Sequence, residues 1–199
     1  MNKIIRKIQY SEKVYRFDVE APLIAKSRKA GNFVIIRVDA NSERMPLTIA
    51  DADIEKGTIT LVVQKVGLSS TKLCNLNEGD EIHDVVGPLG NPTHIENFGT
   101  VLCAGGGVGV APMLPIIKAL KAAGNRVLSV IAGRSKDLVI MEDEVRASSD
   151  ELIIMTDDGS YGEKGVVTVG MEKLIQQEHI DKAFAIGPPI MMKFCCLLT

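Results

Sequence analysis

Tyr15, Phe17, Val19 and Ala21 alternate with Arg16, Asp18 and Glu20, the period-two pattern that predicts a half-buried strand. Further strand-like runs follow at 33–38, 58–64 and 81–86, and Gly31, Gly57, Gly67, Gly79 and Gly87 break them at turn-like intervals. Short β segments of this kind predict a small closed barrel, since closure removes exposed strand edges. After Phe98 the pattern changes. Val101-Leu102-Cys103-Ala104 predicts a short apolar strand that runs into Gly105-Gly106-Gly107-Val108-Gly109. A helical pattern follows, with Pro112 near its start, Met113, Ile116, Ile117 and Leu120 on one face, and Gly124 at its end. Strands at 126–132, 152–155 and 183–186 alternate with helices at about 138–148 and 168–179. That alternation predicts a parallel sheet with right-handed crossovers and helices on both faces. The boundary falls in residues 91–97, giving a β-barrel domain over 1–97 and an α/β domain over 98–199, with no internal repeat.

Composition narrows the function classes. The 199 residues are 46% hydrophobic and 24% charged, an ordinary globular balance. Lys and Arg total 23 against 25 for Asp and Glu, and aromatics are 4%. This argues against a nucleic-acid or anionic-membrane partner and against a base-stacking surface. Cys74, Cys103, Cys195 and Cys196 show no C-x-x-C spacing, and no apolar run reaches a membrane span or a signal-peptide core. The expectation is a reduced, cytoplasmic protein. His83, His94 and His179 are scattered, and neither a Ser–His–Asp system nor a zinc signature stands out.

The strongest local signal is the run from Val101 to Pro112. Glycines let a backbone approach a pyrophosphate, and the next helix turns its free N–H groups and positive dipole end toward it. Gly105, Gly106, Gly107, Val108 and Gly109 form that turn, and Pro112 takes the third glycine position of G-x-G-x-x-G. The following strand leads into Gly133-Arg134-Ser135-Lys136-Asp137. Arg134 and Lys136 lean toward the 2′-phosphate of NADP, Asp137 toward the ribose hydroxyl of NAD, and the choice stays open.

Taken together these motifs resemble the ferredoxin reductase family of FAD- and NAD(P)-binding flavoproteins. Within it they are most similar to the branch that holds the electron-transfer subunit of dihydroorotate dehydrogenase and the small subunit of NADH-dependent ferredoxin–NADP oxidoreductase. The resemblance covers essentially the whole chain and implies an N-terminal FAD-binding Greek-key barrel followed by an NAD(P)-binding α/β domain with a parallel sheet. Arg44-Met45-Pro46-Leu47-Thr48-Ile49 resembles the family's first flavin motif, with Arg44 one residue ahead of the usual arginine place. The resemblance implies Arg44 at the pyrophosphate, Leu47 on the isoalloxazine and Thr48 near N5 as the residue touching the reacting atoms. Val62-Val63-Gln64 and Gly67-Leu68-Ser69-Ser70-Thr71 are similar to the second flavin segment, in which a glycine and small hydroxylic residues cradle phosphates. Gly87-Pro88-Leu89-Gly90 is similar to the motif that closes the barrel. The segment of Asp157, Asp158 and Gly159 resembles one lying over the coenzyme, and that of Gly187, Pro188 and Met191 resembles the motif beside the nicotinamide. Many members carry Cys just before that Gly-Pro, where this chain has Ile186, so no thiol is expected to assist there.

The resemblance implies a flavoprotein oxidoreductase subunit that passes a hydride between NAD(H) or NADP(H) and FAD. Electrons would then travel on to a larger redox partner subunit or ferredoxin. The branch usually carries a C-terminal [2Fe-2S] segment, and this sequence stops at Thr199 without it, so it reads as shorter than its family and no metal is expected in this chain. The alternative is a non-catalytic nucleotide-binding regulatory or assembly subunit that holds no flavin.

Overall fold

The computed structural model describes residues 2–199, and the chain divides into two compact units after Thr93. The first unit is antiparallel. Its elements are β1 (Asn2–Ser11), β2 (Val14–Glu20), α1 (Pro22–Ser27), β3 (Phe33–Arg37), β4 (Met45–Asp53), β5 (Thr58–Gln64), α2 (Leu68–Asn75), β6 (Glu81–Ile82) and β7 (Asp84–Leu89). The strands form one seven-stranded sheet in the order β6-β1-β2-β5-β4-β3-β7. The two edge strands are separated in the chain by His83 alone, so a single stretch pairs with β1 on one side and β3 on the other. The sheet therefore curls into a near-closed barrel, as its pattern of breaks predicts.

Alternation fills the interior. Phe17 and Val19 of β2 face Leu61 and Ile59 of β5 in register, and all four side chains are fully buried. Leu73 and Cys74 of α2 join the same cluster. Two strands depart from simple alternation. In β1, Ile4 is buried while the neighbouring Ile5 is half exposed, and the pairing with β2 shifts between Ile4 and Arg6. In β4, Ile49 and Ala50 are both buried, and a second shift separates Ile49 from Asp51. These bulges explain why the alternation rule passes over both β1 and β4.

The second unit is α/β. Its elements are β8 (Thr100–Gly106), α3 (Val110–Ala122), β9 (Arg126–Gly133), α4 (Glu142–Ser148), β10 (Glu151–Thr156), β11 (Glu163–Lys164), α5 (Val167–Gln177), β12 (Lys182–Ile186) and α6 (Pro189–Leu198). Five parallel strands lie in the order β11-β10-β9-β8-β12. Val101, Leu102, Cys103 and Ala104 have no exposed surface, because β8 is covered on both faces. Leu102, Ala104, Leu128, Val130 and Met155 pack with Val167, Met171 and Leu174 of α5 and Cys195 of α6. α3 covers the other face with Met113, Leu114, Ile117 and Leu120. The helix expected from about residue 138 starts at Glu142 instead, since Met141 adopts a left-handed backbone with φ 55° and a short 3-10 turn occupies Lys136–Leu138.

Entry into β8 is fixed by the buried Asn125. Its carbonyl oxygen accepts from Phe98 N–H at 2.7 Å, and its amide donates to Glu96 and Leu120 carbonyls, each at 2.8 Å. Among the described residues no helix is long and apolar enough to cross a membrane.

Burial separates the four thiols. Cys103 is fully buried, and desolvation pushes its pKa up to about 12, whereas Cys196 is exposed. Iodoacetamide at pH 8 is expected to alkylate Cys196 in the folded protein and to spare Cys103 until denaturant is added, read by peptide mass. Labelling of both at equal rates in the native state would contradict this packing.

Candidate functional site

In the first unit the site begins on β4. Thr48 pairs with Phe33 of β3 and stands next to Ile49, which pairs with Leu61 of β5 beside Val62. Leu47 packs against the barrel core, so alternation puts Pro46 and Thr48 on the outer face. Thr48 is half-buried, and among the described residues its hydroxyl has no hydrogen-bond partner. On β5, Val63 is buried in the barrel, while Val62 is half-buried and Gln64 exposed. Arg44 is exposed just ahead of β4, and its guanidinium has no ion-pair partner among the described residues.

The loop carrying Arg44 is braced against α2. Lys72 Nζ lies 2.9 Å from the Asp39 carboxylate and 3.3 Å from Ser42 Oγ. Lys72 and Ser42 hold the Asp39 carboxyl down at about 2. Nothing in the sequence pattern marks this brace, because its partners are 33 residues apart. α2 itself starts after Gly67. The buried Ser70 hydroxyl accepts from the N–H groups of Val66 at 3.0 Å and Gly67 at 2.9 Å and donates to Gly67 O at 3.1 Å. Ser70 is therefore committed to shaping the turn, and the hydroxyls left for a ligand are those of Ser69 and Thr71.

In the second unit the site lies at the carboxyl ends of the strands. β8 pairs with β9 through Gly105 and Ile131, and with β12 through Gly105 and Ile186. The chain winds from β8 through β9 to β10 and β11 on one side, and returns to β12 on the other. The end of β8 is thus the switch point of the sheet, where open α/β sheets bind ligands. Gly107, Val108 and Gly109 form a 3-10 turn that runs directly into α3, and Pro112 is the helix's third residue.

The glycines here serve different needs. A Cβ at Gly109 would lie 2.5 Å from Ile186 O and 2.8 Å from Gly187 Cα, so this glycine is required by backbone contact with the end of β12. At Gly106 and Gly187 the vacant space is filled by the Met191 thioether, whose Cε would lie 2.6 Å from a Cβ on Gly187. Gly107 has φ 54° and nothing within 4 Å of the position its Cβ would take. It alone combines a left-handed backbone with an open face.

Beyond β9, the Gly133 and Arg134 carbonyls accept from Asp157 N–H at 3.1 Å and Asp158 N–H at 3.2 Å. The two loops are thereby joined. Lys136 N–H donates to Ser160 Oγ at 2.9 Å, and Lys136 Nζ stands 5.2 Å from the centre of the Tyr161 ring. The Asp158 carboxylate accepts from Ser160 N–H at 2.9 Å, ahead of the turn at Gly159. Ser135 donates to the Asp137 carboxylate, while Arg134 is exposed and has no ion-pair partner among the described residues. Buried Thr156 supports the second loop by donating to Tyr161 O at 2.6 Å, and the Tyr161 hydroxyl donates to Glu142 at 3.0 Å. Thr156, Tyr161 and Glu142 are positioning residues that motif reading passes over, since their value lies in contacts between loops. Among the described residues no group of three or more His, Cys, Asp or Glu is placed to hold a metal ion.

No family model matches the chain. It is 49% identical over 197 residues to a dihydroorotate dehydrogenase B (NAD(+)) electron transfer subunit homolog of Thermotoga maritima, covering 99% of this chain and 70% of that protein. The corresponding subunit of Fusobacterium nucleatum is 31% identical over 194 residues, covering 94% of this chain and 74% of the relative. The structure of an NADH-dependent reduced ferredoxin–NADP oxidoreductase matches with a TM-score of 0.94 and 46% identity, over 100% of this chain and 71% of that one. Phthalate dioxygenase reductase, at 19% identity and a TM-score of 0.74 over 64% of its chain, shares the fold.

The glycine geometry predicts opposite responses to one added methyl group. Gly109→Ala should cost about 1–3 kcal/mol of unfolding free energy through overpacking against β12. Gly107→Ala should cost only the left-handed backbone penalty of about 1–2 kcal/mol, with no steric displacement of β12. Urea denaturation measures both costs, and amide exchange at Ile186 and Gly187 should be perturbed by the first substitution only.

Proposed function

Because the chain belongs to the family of dihydroorotate dehydrogenase B electron transfer subunits, with the ferredoxin reductase-like fold, we propose that it takes a hydride from NAD(H) onto FAD and passes electrons to a larger partner subunit. The observation that carries this reading is Thr48, a half-buried hydroxyl without a protein partner on the outer face of β4. A threonine so placed is free to hydrogen-bond a flavin ring nitrogen.

The surrounding residues fit the same ligand. Arg44 brings an unpaired guanidinium for a diphosphate, held near α2 by the Lys72 brace. Gly67, Ser69 and Thr71 offer backbone and hydroxyl groups at the start of α2, where the helix dipole favours negative charge. Pro46, Val62 and Gln64 would line the outer face, and the exposed part of Leu47 would pack on the ring. FAD held there supplies both hydride acceptance and stepwise electron release.

For the nicotinamide coenzyme, the open face of Gly107 and the start of α3 would receive the pyrophosphate. Gly133, Arg134, Asp157, Asp158 and Gly159 would meet the adenosine end beyond β9, leaving the nicotinamide end to Gly187, Pro188 and Met191 beyond β12. We take the coenzyme to be NAD(H), since NAD(+) and NADH stand in the names of the relatives.

Protein loaded with FAD is expected to be yellow and to bleach with NADH faster than with NADPH. Thr48→Val should slow flavin reduction by at least about tenfold while changing FAD affinity by less than about threefold, measured by single-turnover stopped flow and by flavin titration. Equal reduction rates in parent and variant would remove Thr48 from this role. A protein that binds nicotinamide coenzyme but no flavin would instead favour a nucleotide-binding regulatory subunit.

A further inference from the structure

α6 begins directly after the turn at Gly187 and Pro188, and the thioether of its third residue, Met191, reaches back to the end of β8. The sulfur fills a notch between two backbones. A Cβ on Gly187 would lie 2.8 Å from Met191 Sδ and 3.3 Å from Gly106 Cα, and a Cβ on Gly106 would meet the same sulfur. The notch therefore holds that sulfur and leaves no room for another heavy atom. Gly106 ends β8, and Gly187 follows Ile186, which pairs with Gly105. One flexible side chain thus spaces the ends of β8 and β12 at the switch point of the sheet.

Access separates this methionine from most of the others. Met113, Met141, Met155 and Met171 are buried, whereas Met45, Met191 and Met192 are half-buried. Met45 belongs to the first unit, where it packs against the barrel core. Met191 packs partly against the cluster under α5 and α6 and is partly exposed where the strands end. A crevice that admits a dinucleotide there also admits hydrogen peroxide, a far smaller molecule.

We propose that Met191 is a site of reversible oxidation that closes the coenzyme crevice. Hydrogen peroxide transfers one oxygen to the thioether. The O–O bond breaks, an S–O bond forms and water leaves, the sulfur losing the two electrons that the peroxide gains. The product is a sulfoxide, bulkier and polar. Its oxygen does not fit where a Cβ does not fit, so the side chain must leave the notch. Gly106 and Gly187 then lose the group that spaces them, and the loop that starts at Gly107 loses its fixed position. A sulfoxide reductase restores the thioether, with a dithiol oxidised to a disulfide and water released. The inference rests on the coenzyme reading above for its consequence and adds control by an oxidant to that site.

The full chain treated with hydrogen peroxide, mapped by peptide mass and titrated with NAD(+), tests this. Sulfoxide is expected at Met191, with the four buried methionines unmodified. The NAD(+) dissociation constant should rise about tenfold and return after sulfoxide reductase. Amide exchange at Gly106 and Gly187 should quicken with oxidation and slow again on repair. NAD(+) present during the treatment should shield Met191 and leave Met45 as reactive as before. Met191→Leu fills the notch without a sulfur, so its constant, measured against its own untreated value, should not move under peroxide. An equal rise in that variant, or an unmodified Met191 beside oxidised Met45 and Met192, would overturn the proposal while the coenzyme reading stands. An untreated parent that binds no NAD(+) would overturn the coenzyme reading and the closure drawn from it, and the exchange measurement decides the oxidation step by itself.

Discussion

Backbone N–H and C=O groups that leave water must find partners, and the way this chain meets that requirement decides where its candidate sites lie. In the first unit the demand is met by closure. β6 and β7 are one stretch of chain with His83 as the joint, and that stretch satisfies both edges of the sheet. In the second unit it is met by parallel pairing under helices on both faces, which leaves β8 with no exposed surface from Val101 to Ala104. Pairing has to stop where strands end. Those ends, at Gly67 before α2 and at Gly106 to Gly109 before α3, are where free N–H groups and helix dipoles come together.

How much of this was legible follows from how local each feature is. The second unit is legible almost element for element, because strand, glycine turn and helix follow one another within twenty residues and each signal agrees with the next. Periodicity starts helix α4 early only because the left-handed Met141 is invisible to it. In the first unit, alternation passes over β1 and β4, since each carries a bulge that puts consecutive apolar residues into the core or splits them between faces. The glycine-rich loop was recognisable as a turn, yet the sequence could not say that Gly109 meets a backbone while Gly107 faces open space. That distinction belongs to β12, some eighty residues further along the chain.

Charge shows the same limit from another direction. A net charge of −2 excludes a broad electrostatic surface, yet it says nothing about which cations are spoken for. Arg37, Lys72, Lys121, Arg126 and Arg146 are each tied to a carboxylate. Among the described residues Arg44 and Arg134 are not, and each stands beside a strand end that the motifs had already marked. Pairing turns a nearly neutral chain into one with a few uncommitted positive charges in chosen places. Serine and threonine hydroxyls divide in the same way, with Ser70 and Thr156 spent on the loops and Thr48 left over.

The brace behind Arg44 then has a definite range of action. Asp39 is held at about 2 by the Lys72 hydrogen bond first and Ser42 second, below the ordinary carboxylate value of 3.8. A depressed carboxyl contributes stability above its unfolded pKa and loses it as pH falls through the folded value. The contact therefore persists from neutral pH down to the acid range and fails only near pH 2. Ionic strength is the more effective lever, because both side chains reach solvent and a surface pair of this kind weakens as salt screens it. Arg44 is thus placed by an interaction insensitive to physiological pH but responsive to salt, and the diphosphate it would meet responds to salt in the same sense.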